Sequence, residues 1–147
     1  MTYVERCLYE YKANVASIEA MKAEHDDLTS AHCQTYEGHT LNGVSDPVFE
    51  VTARKMGLES RIARTERKTR PVERLKADLT GNDLRIVQMR EILNFKYINQ
   101  EGNEKTQELM AVSSRTYWRR VRELLWLAKK YFGEVDGVKN KHNSYGD

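Results

Sequence analysis

The sequence predicts an all-α fold: an N-terminal helical hairpin followed by a C-terminal helical bundle. Three observations predict it. Apolar residues recur at steps of three and four along most of the 147 residues. Only two prolines and eight glycines interrupt that pattern. No stretch alternates apolar and polar residues convincingly, as a half-buried strand would.

Each element has its own justification. Helix one is expected over about residues 2–30, where Val4, Leu8, Tyr11, Val15, Ile18, Met21 and Leu28 form a heptad-like seam. Gly38, Asn42, Gly43 and Ser45 make 31–46 a loop. Asp46 then reads as an N-cap and Pro47 as the first helical residue of a helix over 47–79. Val48, Val51, Leu58, Ile62, Thr65 and Thr69 lie along one side of it, beside a basic row of Arg54, Arg61 and Lys68. Gly57 weakens this helix slightly, and Pro71, without an amide to donate, is expected to kink or restart it before Val72, Leu75 and Leu79. These two helices make a hairpin domain, 1–79, that pairs within one chain or between two.

Thr80 is the expected cap of the next helix, with Asp83 in capping-box register. From Leu84 to Ile98 apolar residues fall all round, which predicts the most buried helix of the domain. Asn103 is expected to cap a short helix through Met110, and Ala111-Val112-Ser113 to form a turn. The last helix ends at Phe132 with Gly133 as C-cap. Residues 80–133 form the second domain, and 134–147 a flexible polar tail.

The last helix carries the functional signal. At about 100° per residue, Arg115, Arg119, Arg122 and Lys129 fall within about 40° of one line. Tyr117, Val121, Leu124, Ala128 and Tyr131 occupy the opposite side. One face suits a protein core and the other an anion. Ser113 supplies the N-cap, so the helix starts where the basic stripe starts. A helix presented this way, by a short turn after another helix, fits the DNA major groove in a helix-turn-helix. Arg115 and Arg119 are then candidates for base edges or nearby phosphates. Ser113 and Ser114 would meet phosphate through hydroxyl and amide, and Arg122 and Lys129 would follow the backbone. Trp118, Leu125 and Phe132 edge the apolar face as core or dimer seam. Trp126 lies inside the basic stripe, where it can stack under Arg122 or meet a partner chain.

Composition narrows the rest. Charged residues are 31% and hydrophobic ones 39%, enough for a small core beside long helices, a combination that favours a homo-oligomer, most simply a dimer. Residues 1–50 hold three Lys/Arg against nine Asp/Glu, 54–76 nine against three, and 115–130 six against Glu123 alone. The acidic first third could lie against the basic middle; for 115–130 the better partner is double-stranded DNA. No apolar run is long enough to span a bilayer and no signal peptide is evident, so the expected place is the cytoplasm, with no membrane partner. Cys7 and Cys33 imply no disulfide framework. His25, His32, Cys33 and His39 are metal-ligand types, but their spacing closes no four-ligand pattern, and no cofactor is expected. Phosphate-binding glycine loops, nucleophile elbows and metalloprotease motifs are lacking, so an enzyme is not expected.

The order of these pieces resembles phage transcriptional regulators of the RinA-like and ArpU-like type. The resemblance rests on a first helix of this length, Ser45-Asp46-Pro47 opening the second, Leu84–Tyr97 before the reader, and the run Val112-Ser113-Ser114-Arg115-Thr116-Tyr117-Trp118-Arg119-Arg120. It covers most of residues 3–133, with about twenty residues carrying its sharp part. It implies a helix-turn-helix similar to region 4 of bacterial sigma factors, activating late phage operons for packaging and lysis in a bacterial host. It places Ser113 as the cap of the recognition helix, and Arg115, Thr116, Arg119 and Arg120 near or flanking DNA. Two positions depart from the pattern: the turn carries Ala111 where glycine is usual, and the small residue facing the reader falls near Gln107. The alternatives are a helical phage-assembly or interaction adaptor, similar to a small terminase subunit, and an anti-terminator whose partner is RNA polymerase.

Overall fold

The computed structural model describes residues 1–38 and 47–133. Helices account for nearly all of them, and no strand occurs among the described residues. The order is α1 (Tyr3–Gly38), α2 (Pro47–Asp78), α3 (Leu84–Ile92), a π-helical turn (Leu93–Ile98), α4 (Asn103–Met110) and α5 (Ser114–Tyr131).

Two differences from expectation concern the long helices. α1 does not stop near residue 30; it runs to Gly38, the first glycine it meets. α2 passes through Pro71 without restarting. Proline removes one helical hydrogen bond there, but Thr69, Val72 and Leu75 are all fully buried around it and hold the helix in place. Pro47 does open α2. The Asp46 cap, the second half of the expected loop and the tail lie outside the described residues.

The chain forms two compact units by packing. Among the described residues, one unit is Ala13–Arg67; the other joins Met1–Lys12 to residues 68–133. The reason lies in the core. Val4, Cys7 and Leu8 of α1 and Val72, Leu75 and Leu79 of α2 share one buried cluster with Met89, Ile92, Leu93, Tyr97, Tyr117, Val121, Leu124, Ala128 and Phe132. The ends of the two long helices thus belong to the same hydrophobic body as α3–α5. The Ala13–Arg67 unit has a smaller core of Ile18, Met21 and Leu58, flanked by Leu28 and Ile62. A polar contact beside it joins His25 Nε2 and Glu59 Oε1 at 2.8 Å.

The turns of the larger unit explain how α5 is presented. Asp83, not Thr80, caps α3; its carboxylate accepts from the Arg85 amide at 3.1 Å. The Arg90 guanidinium staples the preceding turn by donating to the carbonyls of Leu79 and Gly81, at 3.1 and 3.2 Å. α3 is not buried all round: Leu84 is 65% exposed at its start. The π-helical turn changes the side-chain register, so that the consecutive residues Lys96 and Tyr97 are both buried.

α4 begins after Gly102 (φ 88°), which caps it without a side chain. Asn103, expected as that cap, is the first helical residue instead. Thr106 is the small buried residue of α4, one position before the expected Gln107; its hydroxyl donates to the Gly102 carbonyl at 2.6 Å. Gln107 bridges the turn, donating to the Val112 carbonyl at 3.4 Å.

Ala111 ends α4 in the left-handed region, at φ 55° and ψ 46°. That conformation costs an L-residue about 1–2 kcal/mol, while glycine adopts it at an extra backbone-entropy cost of about 0.5–1 kcal/mol. Ala111→Gly should therefore stabilise the larger unit by about 0.5–1 kcal/mol in urea unfolding. A stability equal to or below that of the parent chain would show that the turn is not strained.

Candidate nucleic-acid interface

Ser113 caps α5 as expected. Its hydroxyl oxygen accepts from the Thr116 amide at 3.2 Å and lies 3.0 Å from the Thr116 hydroxyl, which leaves Thr116 half-buried. Tyr117, Val121, Leu124 and Ala128 are all buried, the apolar face expected from the spacing. At its far end the half-buried Tyr131 donates to the Asp78 carboxylate. The helix is set by its buried side, which fixes the direction of its other side.

On that other side Arg115, Arg119, Arg122 and Lys129 are all exposed. None of the four side chains has a hydrogen bond or ion pair with any described residue. A rise of about 1.5 Å per residue spreads them along about 21 Å of helix. Ser113 and Ser114, at the start of the row, are exposed as well. Among the described residues the row is thus a line of cations without counter-ions, which is the arrangement that a phosphate backbone neutralises.

Arg120 leaves the set of candidate contacts. Its side chain is only 12% exposed. Nε donates to Gln88 Oε1 of α3 at 2.7 Å, and the guanidinium holds Glu123 Oε1 at 3.0 Å. Glu123 in turn lies 3.3 Å from Arg85. The one carboxylate of the 115–130 stretch is therefore engaged by Arg120 and Arg85, binding α3 to α5, and does not screen the outer row. The stretch's remaining cation, Lys130, sits 3.8 Å from the Trp126 ring centre. Trp126, 64% exposed, stacks with that ammonium rather than beneath Arg122.

A second cluster secures the start of α5, and no periodicity in the sequence announces it. Lys96 is 7% exposed. Its ammonium donates to the Tyr9 hydroxyl at 2.8 Å and to Asn103 Oδ1 at 2.7 Å. It also stands 5.4, 5.0 and 5.9 Å from the ring centres of Tyr9, Tyr97 and Trp118. The same Asn103 oxygen accepts from the Tyr117 hydroxyl at 2.7 Å. Burial pushes the Tyr117 phenol up to about 12, so near neutrality it stays protonated and can donate. Gln100 donates to the Tyr9 carbonyl at 2.7 Å and ties the loop before α4 to α1. Asn103, expected to cap a helix, thus joins the π-helical turn to α5. Trp118, expected in the core or a dimer seam, remains 40% exposed beside Tyr117, with ring centres 5.1 Å apart. Phe132 is buried and Leu125 half-buried.

His25 is engaged by Glu59, and no cluster of three metal-ligand residues occurs among the described residues. The side chains of His32, Cys33 and His39 lie outside them. No described helix is long and apolar enough to cross a membrane. Comparison of the chain with models of protein families, with curated proteins and with solved structures finds no match.

Proposed function

We propose that this chain is a sequence-specific DNA-binding transcriptional regulator of the phage late-activator type. α4, the turn at Ala111 and α5 would act as a helix-turn-helix similar to that of sigma-factor region 4. The supporting observation is the unpaired cationic row Arg115, Arg119, Arg122 and Lys129, on a helix whose opposite face is locked into a core. In the proposed complex the N-terminal half of α5 enters the major groove. Arg115 and Arg119 reach base edges, Ser113 and Ser114 meet phosphate, and Arg122 and Lys129 track the backbone as the helix leaves. Thr116 is kept from a direct role by its bond to the cap. A dimer would set two such helices about 34 Å apart, on half-sites one turn of DNA apart. RNA polymerase completes the proposed partners, and the bacterial host cytoplasm is the proposed setting.

The test is selection of bound duplexes from a random pool at about 0.15 M salt, followed by affinity measurement. A regulator prefers its selected site over mixed-sequence DNA by about a thousandfold or more. Binding of every duplex with similar affinity would favour the assembly-adaptor reading, in which a basic face holds DNA or acidic protein without selection.

A further inference from the structure

We infer that α2 carries a second nucleic-acid surface, a backbone clamp formed by Arg54, Arg61 and Arg64. The inference rests on the reading that the chain binds duplex DNA, and adds a surface in the Ala13–Arg67 unit. All three arginines are exposed, and none of their guanidinium groups has a hydrogen bond or ion pair with any described residue. At about 100° per residue they fall within an arc of about 80°, and at about 1.5 Å per residue they extend over about 15 Å of helix.

Protein carboxylates match this row less well than phosphates do, whether they come from the same chain or from a second copy. Within the chain, the acidic first third is the largest source of negative charge. Among the described residues, the polar contact seen between α1 and α2 in this unit joins His25 to Glu59 and engages none of the three arginines. In a second copy, the α1 carboxylates would have to meet the row. Helical geometry puts Glu19 and Asp26 on one flank of α1, Glu24 on the other and Asp27 on its back. Only Glu19 and Asp26 share a line, enough to meet two of the three arginines, whereas a phosphate backbone meets all three. The residue type points the same way, because guanidinium binds phosphate through two parallel N–H bonds.

The clamp would read no sequence. It would add affinity and salt dependence while α5 makes the selection. Because both surfaces are on one chain, engagement of one raises the effective concentration of the other.

The test uses the full chain, a mixed-sequence duplex and a selected duplex, with affinity measured across a salt series. The clamp predicts that R54A/R61A/R64A lowers the slope of log affinity against log salt by about 2.7, near 0.9 for each phosphate no longer neutralised. It also predicts that the preference for the selected duplex survives and that R54K/R61K/R64K keeps most of the slope. An unchanged slope in the alanine variant overturns the inference. So does an unchanged slope combined with weakened binding to phosphatidylserine vesicles, which would make the row a membrane contact. The variant R115A/R119A/R122A separates this inference from the proposed function. If it selects DNA as the parent does while the α2 variant loses slope, the α5 reading fails and the clamp stands. If it loses selection while the α2 variant is unaffected, the clamp fails and the α5 reading stands.

Discussion

Replacing Lys96 by alanine should destabilise the larger unit by about 2–4 kcal/mol, the cost of a sizeable cavity together with the loss of charged hydrogen bonds. Lys96 is nearly enclosed by Tyr9, Tyr97 and Trp118 and donates to Tyr9 and Asn103. Alanine removes both bonds, the packing against three rings and the buried stem. Methionine keeps the stem and relieves the desolvation of a buried charge, so Lys96→Met should lose less than half as much. Trp118 and Trp126 both lie in the larger unit, so denaturant unfolding followed by tryptophan fluorescence reads the right body. Equal losses in the two variants would mean that the bonds to Asn103 and Tyr9 carry the whole effect and that the stem contributes nothing. The loss should also appear in DNA binding, since Asn103 links Lys96 to Tyr117 at the start of α5.

The second large effect is on binding. Arg115→Ala and Arg119→Ala should each weaken binding to a selected duplex by about 1–3 kcal/mol, the range for one base-reading contact. Together they should cost about two to four orders of magnitude in affinity. Both residues are exposed and their side chains make no hydrogen bond or ion pair with a described residue, so far-UV circular dichroism and unfolding midpoints should stay as in the parent chain. Arg120→Ala is the informative contrast. It breaks the bonds to Gln88 and Glu123 and should lower stability first. The contrast would fail if Arg120→Ala left stability untouched and reduced binding as much as Arg115→Ala.

What the sequence revealed and what it concealed follow from the range of the interactions. The faces of α5 were legible because a 3.6-residue period is local: Tyr117, Val121, Leu124 and Ala128 are inside, and Arg115, Arg119, Arg122 and Lys129 outside. The Ser113 cap was legible for the same reason. Partnerships across long stretches of sequence were not. The helical period turns Arg120 about 100° away from Arg119, to the edge of the apolar face, but its partner Gln88, 32 residues earlier, lies beyond the reach of any local pattern. Lys96 within Leu93-Asn94-Phe95-Lys96-Tyr97-Ile98 was a missed signal, because a lone lysine in an apolar run needs a reason for its burial. Its partner Tyr9 lies 87 residues away, beyond any periodicity. The sharing of α1 and α2 between two packed units was hidden too. The seams of α1 and α2 are continuous, and only packing on α3–α5 assigns their outer ends to the second body. Helix starts are displaced by one to three residues where several capping residues stand together. Thr80 and Asp83 compete for one cap, and a positive φ at Gly102 decides the other.

The most direct measurement is an NMR titration of the isotope-labelled chain with a selected duplex, following backbone amides and arginine Nε–H groups. A reading helix on α5 predicts the largest shifts from Ser113 to Arg122, with the Arg115 and Arg119 side chains broadened or protected and the buried amides around Leu124 little changed. Shifts that spare α5 altogether would contradict the account, whatever affinity the chain has for DNA.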